Sequence, residues 1–318
     1  MSKVVFESPA VPLSGSASRD RASSASPRRQ QPLPVVVGCP RSGTSLLAVM
    51  LDSHPDLAVP PETAFIGLVA GLHGGSGTVR QGFFDIVTAD RLTVSNWPDF
   101  GLDKEAFRRR LQAIEPFTVS DGLRAFYALY AESEGKRRCG EKTPDYVFLM
   151  PEIAALLPEA HFIQVIRDPG DTALSWRKTW FAPSQDLRVL GEQWRKYVES
   201  GRRAASLVRR YLEIRFEDLV RRPEDTLKRV CAFVALPWDS AMLDYRARGA
   251  ARLERLQGRQ HARGPMIERE QRTRIHANLT RAPDAERLEV WRREMNTEER
   301  RALEDAAGPL ARELGYAA

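Results

Sequence analysis

The sequence predicts an α/β fold in which helices cover both faces of a parallel sheet. Three short apolar runs of strand type, at residues 35–37, 161–166 and 212–216, alternate along the chain with longer segments of helical period. Strands that alternate with helices pair in parallel through right-handed crossovers, which brings their carboxyl ends to one edge of the sheet. We expect residues 34–318 to form a single domain of this class.

The first 33 residues differ in composition from the rest of the chain. They are rich in Ser, Pro, Ala and Arg and show little periodic apolar pattern. Segments of this kind do not bury enough apolar surface to offset the entropy lost on ordering. The sequence therefore predicts a disordered N-terminal tail at residues 1–33.

Charge and cysteine usage narrow the classes of function. The 48 basic and 42 acidic residues give a net charge of +6, which suits an anionic ligand but is too dispersed for a nucleic-acid surface. The three cysteines show neither zinc nor disulfide spacing. No apolar run is long enough to span a membrane, and the N-terminus lacks the apolar core of a signal peptide. We expect a cytoplasmic protein with no nucleic-acid partner, and the oligomeric state stays open.

Further elements follow from periodicity and composition. Helical patterns occupy residues 104–114, 122–134, 146–157, 187–210, 223–234 and much of 284–316. Five glycines between residues 71 and 82 predict a mobile loop. Residues 246–274 hold nine arginines and three glutamates. This segment has two interpretations, a solvated helix or loop and a mobile flap over an anionic cofactor.

The first strand leads into a glycine-containing loop and then into a helix. Gly38, Gly43, Thr44 and Ser45 have the spacing of a P-loop, but Thr44 occupies the position of the lysine that reaches nucleotide phosphates. Such a loop still directs backbone N–H groups and the positive end of a helix dipole toward an anion. The missing lysine argues against phosphoryl transfer, and Arg41 offers a forked cation instead. The alternative is a structural turn with a solvated Arg41.

Together these segments resemble the sulfotransferases that use 3′-phosphoadenosine 5′-phosphosulfate (PAPS), and most closely the branch that contains the tyrosylprotein sulfotransferases. The family's phosphosulfate loop is similar to residues 40–45, and its 3′-phosphate motif is similar to residues 165–175. Two shorter motifs are similar to residues 61–63 and 141–144. The resemblance runs from Val35 to the C-terminus. It implies a P-loop-like fold and PAPS as co-substrate, with no metal.

The resemblance also implies roles for individual residues. Arg41 and Lys142 would stabilise charge on the leaving group, and Glu62 would be the general base. Arg167 and Ser175 would hold the 3′-phosphate, since an arginine at a strand end and a hydroxyl two helical turns later can converge on one phosphate. The full set of implied donor-binding residues is Arg41, Ser42, Gly43, Thr44, Ser45, Arg167, Ser175 and Arg281.

Several of these assignments have alternatives. An alternative interpretation of Arg167 is that it only pairs with a neighbouring aspartate, Asp168 or Asp171. An alternative interpretation of Glu62 is that it caps a helix that begins near Thr63. His54 is interpreted as a helix-end residue and not as a base. Phe216 stands where the family has a tyrosine, so a polar contact there is in doubt.

The sequence thus predicts a sulfotransferase that moves a sulfuryl group to the hydroxyl of an acceptor, and favours a small-molecule acceptor over a protein. Two rivals from other classes stay open. One is a P-loop kinase that acts on a small molecule, which would need ATP and Mg²⁺. The other is a nucleotide-binding protein without catalysis, which would bind the donor without turnover.

Overall fold

The computed structural model describes residues 31–91, 94–261 and 264–316. Within these ranges the strands are β1 (Leu33–Gly38), β2 (Leu57–Ala58), β3 (Asp90–Arg91), β4 (Ser95–Asn96), β5 (Arg138–Cys139), β6 (Glu141–Lys142), β7 (Ala160–Ile166), β8 (Tyr211–Arg215), β9 (Arg259–Gln260) and β10 (Met266–Ile267). Most of the predicted tail, residues 1–30, lies outside the described residues, and Leu33 already belongs to β1.

The helices in the same ranges are α1 (Thr44–Asp52), α2 (Ile66–Ala70), α3 (Ser76–Val87), α4 (Trp97–Phe100), α5 (Lys104–Gln112), α6 (Val119–Ser133), α7 (Met150–Leu156), α8 (Pro169–Arg177), α9 (Leu187–Ala204), α10 (Phe216–Arg221), α11 (Pro223–Phe233), α12 (Arg246–Arg255), α13 (Arg269–Arg274), α14 (Trp291–Glu294) and α15 (Thr297–Glu313). Short 3-10 helices lie at Pro144–Phe148, Ser240–Leu243, Ala277–Thr280 and Ala285–Arg287. No described helix is both long and apolar enough to cross a membrane.

The central sheet has four strands in the order β6-β1-β7-β8, and every pair in it is parallel. β1 lies between β6 and β7, with Val36 opposite Lys142 on one side and Ile163 on the other. Parallel pairing brings the carboxyl ends of all four strands to one edge, where ligands bind in folds of this class. The predicted parallel α/β class is confirmed.

The chain at residues 138–142 changes partner at Gly140. β5 pairs in parallel with β2, whereas β6 pairs in parallel with β1. The N–H of Gly140 donates to the carbonyl of Ala58 at 2.7 Å, which keeps β2 in line with the sheet. The segment after β2, which carries Glu62, therefore leaves at the same edge as Lys142.

Side chains of the central strands alternate between two apolar cores, one on each face of the sheet. Val35 and Val37 pack in one core with residues of α6, α7, α9 and α15. Val36 packs in the other core with residues of α1 and α11. Because successive residues of a strand point to opposite faces, this alternation confirms that helices cover both faces.

Helix α3 corrects one prediction. It occupies Ser76–Val87, so the mobile loop predicted between residues 71 and 82 is wrong over its second half. Val79, Phe83 and Val87 recur at a helical interval and are buried on one face of α3. The burial of these side chains outweighs the low helix propensity of the glycines within α3.

The arginine-rich segment at residues 246–274 is tied to the rest of the fold by buried carboxylates. The Asp99 side chain, 1% exposed, pairs with Arg259 at 2.8 Å and with Arg272 at 2.5 Å. Asp52, at the end of α1, pairs with Arg248 at 2.6 Å. The interpretation of a solvated segment is therefore wrong for these arginines, because burial and pairing replace their hydration. The flap interpretation stays a prediction.

We expect the loss of Asp99 to destabilise the fold strongly. Removing one member of a buried ion pair costs about 3 to 5 kcal/mol. Arg259 and Arg272 would both lose Asp99 and be left with exposed Asp90 and the carbonyl of Gln257, respectively. Asp99→Ala should lower the free energy of unfolding by about that amount in urea titrations. Asp305→Ala is the matched control, since Asp305 also pairs with an arginine, Arg188, but both side chains are about half exposed. Its effect should stay within about 1 kcal/mol. Equal effects of the two variants would contradict this prediction.

Candidate active site

The loop between β1 and α1 is packed so closely that its two glycines cannot carry side chains. A Cβ atom on Gly38 would overlap the carbonyl oxygen of Val165, and one on Gly43 would overlap the ring of Phe216. Both glycines also have positive φ angles, 145° and 97°. The first turn of α1, from Thr44, leaves backbone N–H groups without intrahelical partners at the carboxyl edge of the sheet. This is the anion-binding geometry that the sequence predicts.

Arg41 lies within this loop in a strained conformation. Its φ angle of 71° falls in the left-handed region, which costs a non-glycine residue on the order of 1 kcal/mol. The Arg41 Nε donates to the Ser175 Oγ at 3.2 Å, and the Arg41 carbonyl accepts from the Arg167 Nη1 at 3.4 Å. Three residues predicted to bind the donor, from two loops and one helix, therefore meet at one point.

Arg167 pairs with Asp171, as the alternative interpretation expects, and makes further contacts within the site. Its Nη2 lies 3.4 Å from the Asp171 carboxylate and donates to the carbonyl of Arg287 at 3.0 Å. The guanidinium stacks on the ring of Phe216, 4.5 Å from the centroid. The buried Nε has no hydrogen-bond partner among the described residues. Pairing with Asp171 thus leaves Arg167 with donor capacity.

Lys142 connects the donor loop to Glu62. Its Nζ lies 2.5 Å from the Glu62 Oε1 and donates to the Ser45 Oγ at 3.3 Å. The Lys142 side chain is 5% exposed, whereas the Glu62 side chain is 41% exposed. The amine that the loop lacks at Thr44 is therefore supplied from the neighbouring strand β6.

The cations of this site repel one another. Burial and the charge of Arg167 lower the pKa of Arg41 to about 10, while the charge of Glu62 opposes the shift. Arg41 stays protonated at neutral pH, so two guanidinium groups stand side by side in a partly buried site. An anion bound between them relieves this repulsion. The donor set therefore fits a ligand with several negative charges, as PAPS is.

Comparison with known proteins identifies the family. Residues 32–240 match the model of the family described as "Sulfotransferase family". The chain belongs to the sulfotransferase family. The predicted resemblance to the sulfotransferase family is confirmed. Protein-tyrosine sulfotransferases are among the similar proteins.

Two relatives show the range of this similarity. The chain is 27% identical to the nodulation protein NoeE of Sinorhizobium fredii, across 91% of this chain and 68% of the relative. It is 26% identical to the protein-tyrosine sulfotransferase of Drosophila melanogaster, across 68% of this chain and 40% of the relative. The chain therefore spans about two fifths to two thirds of the length of these two proteins.

Two solved structures share the fold. The sulfotransferase domain of the Synechococcus olefin synthase superposes with a TM-score of 0.58 at 20% identity, covering 93% of this chain and 100% of the domain. The sulfotransferase domain from the curacin biosynthetic pathway gives 0.54 at 20% identity, covering 91% and 99%. At this identity the likeness shows the fold alone. The predicted P-loop-like sulfotransferase fold is confirmed.

Arg281, the remaining residue that the resemblance assigns to the donor, lies apart from the others. Its side chain is exposed, and its carbonyl accepts a hydrogen bond from the Tyr245 hydroxyl at 2.6 Å. No described contact joins Arg281 to Arg41 or Arg167. Arg287, which the sequence did not single out, lies closer, because its carbonyl contacts Arg167. A role for Arg281 stays a prediction.

The structure distinguishes two histidines, His54 and His276. Both ring nitrogens of buried His54 are engaged, with the Asp56 N–H at 3.0 Å and the Pro237 carbonyl at 2.9 Å, as the structural interpretation expects. His276 lies beside the site instead. Burial and the positive charges of Lys142 and Arg41 hold its pKa well below the usual value. Its imidazole is therefore neutral at pH 7, a state that no sequence motif indicated.

Glu62 does not cap a helix. The nearest helix, α2, begins at Ile66 and has Phe65 at its N-terminal boundary with no side-chain cap. The capping alternative for Glu62 is therefore wrong. Ala64, two residues after Glu62, has a φ angle of 58°, so the backbone here is strained as it is at Arg41.

Glu141, next to Lys142, is buried with a shifted pKa. Burial raises the pKa of its carboxyl group to about 7, while hydrogen bonds from Tyr127 and Thr143 oppose the shift. The Tyr127 hydroxyl donates to Oε2 and the Thr143 hydroxyl donates to Oε1, each at 2.8 Å. Among the described residues, no group of three or more His, Cys, Asp and Glu side chains has the geometry of a metal site. The expectation that no metal is needed stays a prediction.

The raised pKa of Glu141 predicts how stability depends on pH. The folded state holds this proton more tightly than the unfolded state, whose carboxyl has the ordinary pKa of 4.5. The stability that Glu141 contributes is therefore complete below pH 4.5 and is lost as the pH rises through 7. Relative to Glu141→Gln, the wild type should lose on the order of 3 kcal/mol of unfolding free energy between pH 4.5 and 8.

Urea unfolding of both proteins across this range tests the prediction. Glu192→Gln is the control, because Glu192 is exposed on α9 and its substitution should leave the pH dependence unchanged. Parallel pH profiles for wild type and Glu141→Gln would contradict the assignment.

Proposed function

We propose that this protein transfers the sulfuryl group of PAPS to a hydroxyl group of a small-molecule acceptor. The observation that carries the proposal is the position of Lys142, which contacts Ser45 of the donor loop and the carboxylate of Glu62 at the same time. One amine thus lies between the anion-binding loop and a base. Sulfuryl transfer needs that order, with leaving group, sulfur and acceptor oxygen in line.

In this proposal Arg41 and Lys142 stabilise the charge that develops on the leaving phosphate oxygen. Arg41 is fixed by its backbone conformation and by Ser175, and Lys142 is 5% exposed, so neither has to reorganise during the reaction. Preorganised cations of this kind favour the transition state over the ground state. Glu62 removes the proton of the acceptor hydroxyl, and its contact with Lys142 holds the carboxylate in place.

PAPS supplies an activated sulfuryl group together with a 3′-phosphate that ATP lacks. The proposed residues for that phosphate are Arg167 and Ser175, and those for the 5′-phosphosulfate are the loop residues Arg41, Ser42, Gly43, Thr44 and Ser45. Support comes from the hydrogen bond between Arg41 and Ser175 and from the free Nε of Arg167. The role of the loop rests on the N–H groups at the start of α1.

The acceptor approaches from the side of Glu62, which is the exposed member of the pair with Lys142. The printed names of the relatives include a nodulation protein and protein-tyrosine sulfotransferases, so small-molecule and protein acceptors both enter the test. The proposal commits to a small molecule.

Binding and turnover together test the proposed function. Thermal-shift measurements compare adenosine 3′,5′-bisphosphate, ATP, and ATP with Mg²⁺. The bisphosphate should raise the melting temperature most, whereas a kinase would be stabilised most by ATP with Mg²⁺. Labelled PAPS should then yield sulfated product from 4-nitrophenol or a monosaccharide and not from a tyrosyl peptide. If the bisphosphate binds but no acceptor is sulfated, the protein is a nucleotide-binding protein without catalysis. Turnover on the peptide alone would overturn the acceptor class.

Arg167 and Ser175 predict a measurable preference for the 3′-phosphate. Removing a cation that pairs with a phosphate costs about 2 to 4 kcal/mol, or tens- to hundreds-fold in affinity. Arg167→Ala should therefore lose most of the preference for adenosine 3′,5′-bisphosphate over 5′-AMP, as measured by calorimetry. Arg177→Ala is the matched control, because Arg177 lies on α8 and pairs with Glu299 at 2.6 Å. An unchanged preference in Arg167→Ala would refute the assignment.

The general base is tested with Glu62→Gln. Loss of a general base should reduce single-turnover sulfation by about 10² to 10⁴, while the variant still folds and still binds the bisphosphate. The acceptor should be the least acidic one that the wild type accepts, because an acidic phenol needs a base less. His276→Asn is measured beside it, because neutral His276, whose pKa is lowered by Lys142 and Arg41, is an alternative base. If Glu62→Gln turns over normally and His276→Asn does not, the role belongs to His276.

A further inference from the structure

A buried hydrogen-bond chain connects the two segments that carry Lys142 and Glu62. Glu141, Thr143 and Thr63 are all buried, with 0%, 4% and 0% exposure. Glu141 and Thr143 flank Lys142 in sequence, and Thr63 follows Glu62 directly. The N–H of Thr63 donates to the Thr143 Oγ1 at 3.1 Å, and the Thr143 hydroxyl donates to the Glu141 Oε1 at 2.8 Å.

The direction of each hydrogen bond in this chain follows from the groups present. A backbone N–H can only donate, so the Thr143 oxygen must accept from Thr63. The single hydroxyl proton of Thr143 is then directed to Glu141, whose carboxylate accepts it. Glu141 therefore determines how the Thr143 hydroxyl points, and that orientation determines where the backbone after Glu62 is held.

The strand geometry separates this chain from the reacting groups. Glu141 and Lys142 are successive residues of β6, so their side chains point to opposite faces. Lys142 points to the donor loop, whereas Glu141 points to Tyr127 of α6 and touches no residue of the donor loop in the described contacts. Apart from the electrostatic interaction between Glu141 and Lys142, Glu141 acts on the reacting groups through the backbone segments that the chain joins.

We propose that Glu141 and Thr143 are positioning residues, which set the contact between Lys142 and Glu62 by fixing Thr63 against β6. The proposal rests on the proposed function, because it concerns the geometry of that reaction. Tyr146 also fixes the segment after Glu62 by hydrogen bonding. Its hydroxyl contacts the Thr63 Oγ1 at 2.7 Å and accepts from the Ile66 N–H at 3.0 Å.

The decisive variant is Thr143→Val, which keeps the shape of the side chain and removes the hydroxyl. We expect kcat to fall about 10- to 100-fold with a KM for PAPS and a bisphosphate affinity within about twofold of wild type, because a small displacement of reacting groups costs this much. Glu141→Met, which removes both acceptor oxygens, should give a loss of the same kind. Thr143→Ser should restore kcat, since it returns the hydroxyl. Turnover is measured with whichever of 4-nitrophenol and the monosaccharide the wild type sulfates faster.

Tyr127→Phe is the matched control. It removes a hydrogen bond of the same length from the same carboxylate, but from Oε2, outside the chain to Thr63. It should lower the melting temperature and leave kcat unchanged. If Tyr127→Phe lowers kcat as much as Thr143→Val, the carboxylate is only structural and the proposal is overturned.

A crystal structure of Thr143→Val provides a readout that does not depend on turnover. The Glu62 carboxylate should move away from the Lys142 Nζ. If it moves while the wild type shows no sulfation of any acceptor, the proposed function fails and the positioning role stands. If the wild type is active and the contact and kcat are both unchanged in Thr143→Val, the positioning role fails and the proposed function stands.

Discussion

The parallel hydrogen bonding of β1 with β6 is the constraint on which the rest of this site depends. It places Lys142 opposite Val36, only a few residues before the anion-binding loop. A P-loop nucleotide enzyme carries its lysine inside the loop, whereas here the amine arrives from the adjacent strand. From this position the Lys142 Nζ contacts both the Ser45 hydroxyl at the start of α1 and the carboxylate of Glu62.

Burial of charge is the second physical theme of the molecule. Arg41, Asp52, Asp99, Glu141 and Arg167 are all wholly or largely removed from water, and each would be costly there without partners. Most have partners within the fold. Arg41 and Arg167 keep N–H groups available for hydrogen bonding and lie near each other. This is the arrangement expected of an anion-binding site.

Local motifs explain which parts of the site could be predicted from the sequence. Arg41, Thr44 and Ser45 lie close together in sequence, in the loop after β1 and the first turn of α1. Arg167 and Ser175 lie on one strand-helix unit, so both relations are visible as spacing. The parallel sheet follows from alternation alone. Helix α3 could not be predicted in this way. Its glycines have low helix propensity, and the helix is stabilised instead by the burial of one apolar face in the folded protein.

The contacts that spacing cannot show are those between distant segments. Nothing in the sequence relates Glu141 to Thr63, or His276 to Lys142, since those contacts depend on the folded backbone. The arginines at residues 246–274 illustrate the same limit. Their number left a solvated segment and a cofactor flap both open, and it could not show that Arg259 and Arg272 pair with buried Asp99, far earlier in the chain.

The buried carboxylates have a consequence for how this protein can change over evolutionary time. The match to the family ends at residue 240, yet Asp52 and Asp99 take their arginine partners from beyond that boundary. Asp171 likewise accepts the backbone N–H groups of Glu289 and Trp291. Replacement of Asp52 or Asp99 removes a carboxylate partner from an arginine beyond residue 240, and replacement of Arg248, Arg259 or Arg272 removes a partner from a buried carboxylate before it. Changes at these positions in one part of the chain therefore constrain changes in the other.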